Sequence, residues 1–237
     1  KKGVEDPGSP IYLDENIISQ PAAALQLVAK EIFRMSDQVR DILKKTIELV
    51  KNEEVKSIDG LKENGEQVER LGKCITEYLA ALFSSGSLTE QQAAQTASLM
   101  CVLSDVERMG TLSVEMAECM LERSDRKYKY TPEAMDELQK SLKVLNKMFC
   151  DSLKALQGDD GIEPGKMMKR KDKLLDLDIK MRKAHIERVN KGKCKASLTA
   201  PFTNILHLID RMGNSCINLA DVAESGTSMK YFMLEEK

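Results

Sequence analysis

The chain has 237 residues, 42% of them hydrophobic and 31% charged, with aromatics at 4% and no Trp. That balance fits long helices cored by Leu, Ile, Val, Met and Ala, and disfavours an aromatic-rich β-sandwich. The 36 basic and 38 acidic side chains leave a formal charge of −2, so no global field draws in nucleic acid or an anionic membrane, and no nucleic-acid partner is expected. No stretch approaches the ~20 apolar residues that span a bilayer, and nothing at the start reads as a signal segment.

In chain order, Lys1-Lys2-Gly3 through Pro10 is polar and bears Pro and Gly. Residues 1–20 are expected to be an extended linker continuing from an earlier part of a longer protein. Apolar residues at Leu25, Val28, Ile32, Met35, Val39, Ile42, Leu43, Ile47 and Val50 recur at three and four, which predicts an amphipathic helix from Pro21 to Lys51. A second is predicted from about Glu54 to Phe83, carrying Gly60, Gly65 and Gly72. Ser87 with Glu90 three residues on forms a capping-box pattern, with Thr89 as another capping hydroxyl, and opens a third helix to about Arg123.

The second half repeats this plan. Thr131-Pro132-Glu133 opens a fourth helix that runs to Leu156 and stops at Gly158-Asp159-Asp160-Gly161. The fifth runs from about Lys166 to Asn190 and closes at Gly192, and the sixth from about Leu198 to Glu224 closes at Gly226. Residues 227–237 read as a tail. The run Lys166 to Lys171 reads as a solvated basic first turn.

A repeated pentapeptide ties the halves together: Val106-Glu107-Arg108-Met109-Gly110 in the third helix and Ile209-Asp210-Arg211-Met212-Gly213 in the sixth. The matches continue at Met116-Ala117-Glu118 and Leu219-Ala220-Asp221. The expected fold is all-α: six long helices in two duplicated, antiparallel three-helix bundles, residues 21–126 and 131–226. Each acid shares a helix face with its Gly, which lets a neighbouring helix approach. The competing reading of the acids is a metal site, since carboxylates from facing helices converge in bundle interiors.

Other chemistries find little support. Among Cys74, Cys101, Cys119, Cys150, Cys194 and Cys216 no pair makes a C-x-x-C or a zinc-like spacing with His185 or His207. Cys101, Cys119 and Cys216 fall in helical apolar patterns, as free buried thiols do. Neither His follows a Glu by three, which removes the di-iron carboxylate enzymes. No Walker-type or G-x-G-x-x-G loop appears. No catalytic residue is assigned, and an enzyme is not expected.

The two acid-Arg-Met-Gly elements resemble the duplicated signature of PhoU-like domains, in which an acid, Arg, an aliphatic and Gly or Ala are followed by Asp. Tyr12-Leu13-Asp14-Glu15, Pro21, Ala24-Leu25, Ala29-Lys30-Glu31 and Met35 are similar to the segment leading from the membrane part into the PhoU-like region of bacterial sodium/phosphate cotransporter proteins. So is Arg182 to Cys194. That resemblance implies a cytoplasmic regulatory domain attached to the inner membrane, following an upstream membrane domain and partnered by its own or an associated transporter. PhoU-like regulators are implied to bind multinuclear metal clusters through acid-x-x-x-Asp motifs and to repress phosphate uptake and signalling. Here the motifs are incomplete, because Thr111 stands four after Glu107 and Asn214 four after Asp210. Glu69 lies four after Gly65, and only Asp172 and Asp176 keep the spacing. Glu107 and Asp210, with Glu69, Asp172 and Asp176 behind them, are the candidate ligands for iron, zinc or another divalent metal. With the second carboxylates lost, no cofactor is the expectation. Three readings stay open: transporter-attached regulator, free-standing metal-binding repressor, or ligand-free helical scaffold. A homodimer is expected from the Met-rich helix faces.

Overall fold

A computed structural model describes residues 6–52, 57–124, 129–158 and 165–225. These form six α-helices: α1 Pro21–Lys51, α2 Asp59–Ser84, α3 Glu90–Ser124, α4 Pro132–Leu156, α5 Lys166–Asn190 and α6 Thr199–Glu224. Short 3-10 turns, Glu15–Ile17 and Ala196–Leu198, precede α1 and α6. Among the described residues there is no strand, and no helix is long and apolar enough to cross a membrane.

The helix ends follow local chemistry. Thr131 Oγ1 accepts from the Ala134 N–H at 3.3 Å and Pro132 takes the first helical position of α4. Gly192, at φ 68°, ends α5 by turning left-handed so that the Lys193 N–H reaches back to the Arg188 carbonyl at 2.8 Å. At the start of α3 the capping partners are Thr89 and Gln92: the Gln92 N–H donates to Thr89 Oγ1 at 3.2 Å and the Thr89 N–H to Gln92 Oε1 at 3.0 Å. The expected Ser87–Glu90 box is replaced because Ser87 bonds Ser85 instead. α2 begins at Asp59, where Ser57 Oγ accepts its N–H. The predicted start at Glu54, the loop residues 159–161, Gly226, the tail 227–237 and Lys1 to Gly3 lie outside the described residues.

Apolar positions every three or four residues pack the helices into one continuous core. α1 packs on α2 and α3, and α4 packs likewise on α5 and α6. The two trios join through α3 against α6 and α1 against α4. α3 and α6 run antiparallel, since Asp105 accepts from Asn218 Nδ2 at 3.2 Å while Glu115, further along α3, meets Arg211, earlier in α6. At their crossing Met109 and Met212 are fully buried, and Ser113 Oγ donates to the Met109 carbonyl at 2.6 Å and lies 3.7 Å from Met212 Sδ. Buried Leu61, Val68, Ile75 and Leu79 of α2 correspond to Met167, Leu174, Met181 and His185 of α5.

Residues 6–18 fold back onto the bundle, in contrast to an extended linker. Glu31, without solvent exposure, accepts the N–H groups of Ile11 and Tyr12 at 2.8 and 2.7 Å and the Arg34 Nε at 2.6 Å. Arg34 donates in turn to the Ser9 carbonyl at 2.7 Å, and Tyr78 Oη donates to the Asp14 carbonyl at 2.8 Å. A buried carboxylate needs such donors, and the backbone of an incoming segment supplies them. Of the cysteines expected to be buried, Cys216 is, Cys119 is half-buried and Cys101 is exposed, because it lies on the outer side of α3.

Candidate functional site

The glycines of both signature elements stand against side chains of neighbouring helices. Gly110 lies against Val39 and Val68, and Gly213 against Leu174 and Lys171, with no room for a larger residue to enter freely. Beside Gly110, the Glu107 side chain crosses to α2 and occupies the space over Gly72, where a Cβ would fall 1.6 Å from its Oε1. Burial, and then the charge of Glu69, push the Glu107 carboxyl above its ordinary range.

Next to this pair a groove of about 310 Å³ opens between α2 and α3, lined by Gly65, Glu66, Glu69, Thr111, Glu115 and Glu118 among others. Lys62 enters it and pairs with Glu118 at 3.0 Å. A second groove, of about 320 Å³ between α3 and α6, continues it past Glu115 and Glu118 to Cys119, Glu122, His207 and Arg211. α3 thus presents an acidic belt. Burial and the neighbouring acids push the Cys119 thiol up, as burial does more strongly for Cys216, so neither is activated as a thiolate nucleophile.

The second half differs at the same position. Asp210 is held by Lys171, whose ammonium donates to its carboxylate and, at 3.2 Å, to its backbone carbonyl. An internal cation therefore sits where a bound one would have to sit. Lys171 corresponds to Gly65 of α2, and Leu175 to Glu69. Asp172 and Asp176 lie on the exposed side of α5, turned away from Asp210. The basic run is correspondingly less solvated than its composition indicates: Met167 is buried and Arg170 pairs with Asp151 of α4 at 2.5 Å.

The structure thus brings Glu107 and Glu69 together, and isolates Asp210 with Lys171. The donor set fits a multinuclear cluster poorly. Thr111 and Gly65 bring no charge in the first half, Lys171 neutralises the second, and hard cations need several anionic oxygens to offset dehydration. Glu66 and Glu115 have no part in the sequence expectations, Glu118 stands there only as a repeat match, and Lys171 only as part of a solvated basic run. Counting the buried heptad-like positions of α5 back from Met181 would have put Lys171 on the inner face.

The raised Glu107 has a sign to test. The unfolded chain ionises this group near the ordinary value of 4.5, whereas the folded chain holds its proton to higher pH. Between those two values folding takes up a proton, so stability falls as pH rises and the penalty persists at neutral pH. Glu107→Gln is expected to melt higher than the parent at neutral pH, with the difference vanishing in thermal scans below the ordinary glutamate range.

The phosphate-specific transport system accessory protein PhoU homolog 1 of Thermotoga maritima (strain ATCC 43589 / DSM 3109 / JCM 10099 / NBRC 100826 / MSB8) is 24% identical over 209 residues, covering 87% of this chain and 88% of that protein. The family model for the PhoU domain matches residues 32–120, from within α1 through most of α3. Over that segment the chain matches the PhoU domain, and its all-α six-helix bundle is PhoU-like.

Proposed function

We propose that this chain is a PhoU-type regulatory module of inorganic phosphate transport that works by binding and conformational coupling, without catalysis. In this reading it is the cytoplasmic domain of a sodium-dependent phosphate transporter at the inner membrane, and it acts on its own or an associated membrane part. The observation that carries it is the fastening of residues 6–18 to α1 and α2 through Glu31, Arg34 and Tyr78. Coupling by conformation needs a stiff joint between the arriving chain and the bundle, and a fully buried carboxylate holding two backbone N–H groups provides one. Beside Asp210 this reading needs no metal, because Lys171 already supplies the positive charge there.

A second reading is favoured by the 88% of the accessory protein's length that this chain matches: a free-standing repressor of phosphate uptake, with iron, zinc or another divalent metal in the Glu107 groove. Phosphate uptake by the full-length protein, with and without residues 20–237, tests the first reading at low and high phosphate. Deletion is expected to change how uptake responds to phosphate, and identical uptake under every condition would sink the regulatory role. Elemental analysis separates the two, since stoichiometric metal that disappears in Glu107→Ala would move the assignment to the repressor.

A further inference from the structure

α5 buries one face and leaves another uncovered. Met167, Leu174, Met181 and His185 point into the bundle, whereas Met168, Leu175, Ile179 and Ile186 are 52%, 52%, 56% and 57% exposed. They are four of the eight large apolar side chains exposed among the described residues. Concentration on one helix marks them as a surface that binds something, since scattered exposure would need no explanation.

Their spacing is that of a coiled-coil seam. Met168 and Leu175 are seven apart and continue to Arg182, while Ile179 and Ile186 are seven apart and continue back to Asp172. The six residues therefore fill the two core positions of a heptad along α5. The seam also reads onto itself when reversed about residue 177: Met168 exchanges with Ile186, Leu175 with Ile179, and Asp172 with Arg182.

We propose that α5 is the contact of a two-fold homodimer, packed antiparallel on α5 of a second copy. In a two-fold interface each contact occurs twice with the roles exchanged, and an antiparallel seam brings the two heptad positions opposite one another. Leu175 then meets Ile179 of the second copy at the centre, Met168 meets Ile186 toward each end, and Asp172 pairs with Arg182 on both sides. Arg182 already donates to Asp178 through Nε and Nη2, at 2.7 and 3.1 Å. That bond holds the guanidinium beside the seam and leaves Nη1 for Asp172 of the second copy. A parallel arrangement would set Asp172 against Asp172 and Arg182 against Arg182, so the charges also select the direction. Antiparallel helix dipoles favour the same choice. The exposed carboxylates of Asp172 and Asp176 beside the apolar stripe argue against an anionic lipid surface as the occupant.

Sedimentation velocity of the 237-residue chain tests the proposal. The parent is expected to dimerise, and Leu175→Lys with Ile179→Lys to be monomeric at the same concentration, with unchanged circular dichroism because both positions are exposed and with melting that no longer depends on protein concentration. Asp172→Lys alone and Arg182→Glu alone are each expected to raise the dimer Kd by about tenfold, and the two together to recover most of it, as exchange across a two-fold axis requires. A parent chain that stays monomeric up to ~1 mM overturns the proposal. So does a dimer indifferent to the lysines, a charge swap that fails to recover affinity, or a monomer that cosediments with phosphatidylserine vesicles.

Discussion

Glu31→Ala is expected to destabilise the fold by about 3–5 kcal/mol, the scale for removing one partner of a buried ion pair. The carboxylate has no contact with solvent, and its loss leaves the Ile11 and Tyr12 N–H groups and the Arg34 Nε without their acceptor. Arg34 also holds the Pro7 and Ser9 carbonyls, so one truncation loosens the whole segment from 6 to 18. Urea unfolding should show the lower midpoint, and limited proteolysis should cut within that segment sooner than in the parent. Glu31→Gln keeps the shape and one acceptor oxygen, and should fall between the two. A midpoint unchanged in Glu31→Ala would mean the segment is not fastened through this residue, and the stiff joint invoked for regulation would lose its basis.

The second large effect belongs to Phe202. It is 1% exposed at the start of α6, stacked on the His185 ring at 4.7 Å and tilted against Tyr130 at 5.3 Å. Phe202→Ala should cost about 3–5 kcal/mol through lost burial and the cavity left behind. His185 reports on the same place: its Nε2 lies 3.0 Å from Thr199 Oγ1, and burial, with the nearby Arg188 charge, lowers its pKa below the ordinary 6.5. A base with a depressed folded pKa contributes stability that is present above the unfolded value and fades as pH falls below it. The parent should therefore lose stability on acidification below 6.5. Opening the Phe202 cavity admits water to the imidazole and should move its NMR titration back toward the ordinary value, flattening that acid limb. A His185 titration that does not move would show that desolvation by Phe202 is not its cause.

Particular residues show how far sequence alone carried the reading. α1, α4 and α5 end where predicted, since Pro21, Thr131-Pro132 and Gly192 act on their own few neighbours and need no distant partner. The cap of α3 shifted by two residues, because Ser87, Thr89, Glu90 and Gln92 offer two overlapping patterns. Only the actual entry angle of the chain decides between them.

The candidate site was legible in part. Glu107 and Asp210 stand out through repetition, and the approach of helices at Gly110 and Gly213 follows from it. The fate of each acid does not. On α5 the acid spacing singles out Asp172 and Asp176, whereas the apolar positions Met167, Leu174 and Met181 put Lys171 on the inner face. Packing against α6 settled it, because Leu174, Met181 and His185 can be buried together only when Lys171 also turns inward.

The sequence by itself determined what depends on periodicity and local capping: six helices, the ends of α1, α4 and α5, and two similar halves. The tertiary structure decided what depends on residues far apart in the chain: Glu31 beneath Ile11 and Tyr12, Glu107 over Gly72, and Lys171 beside Asp210. Those outcomes turn on which face of a helix meets its neighbour, and a charged side chain can lie on either face until packing buries one of them.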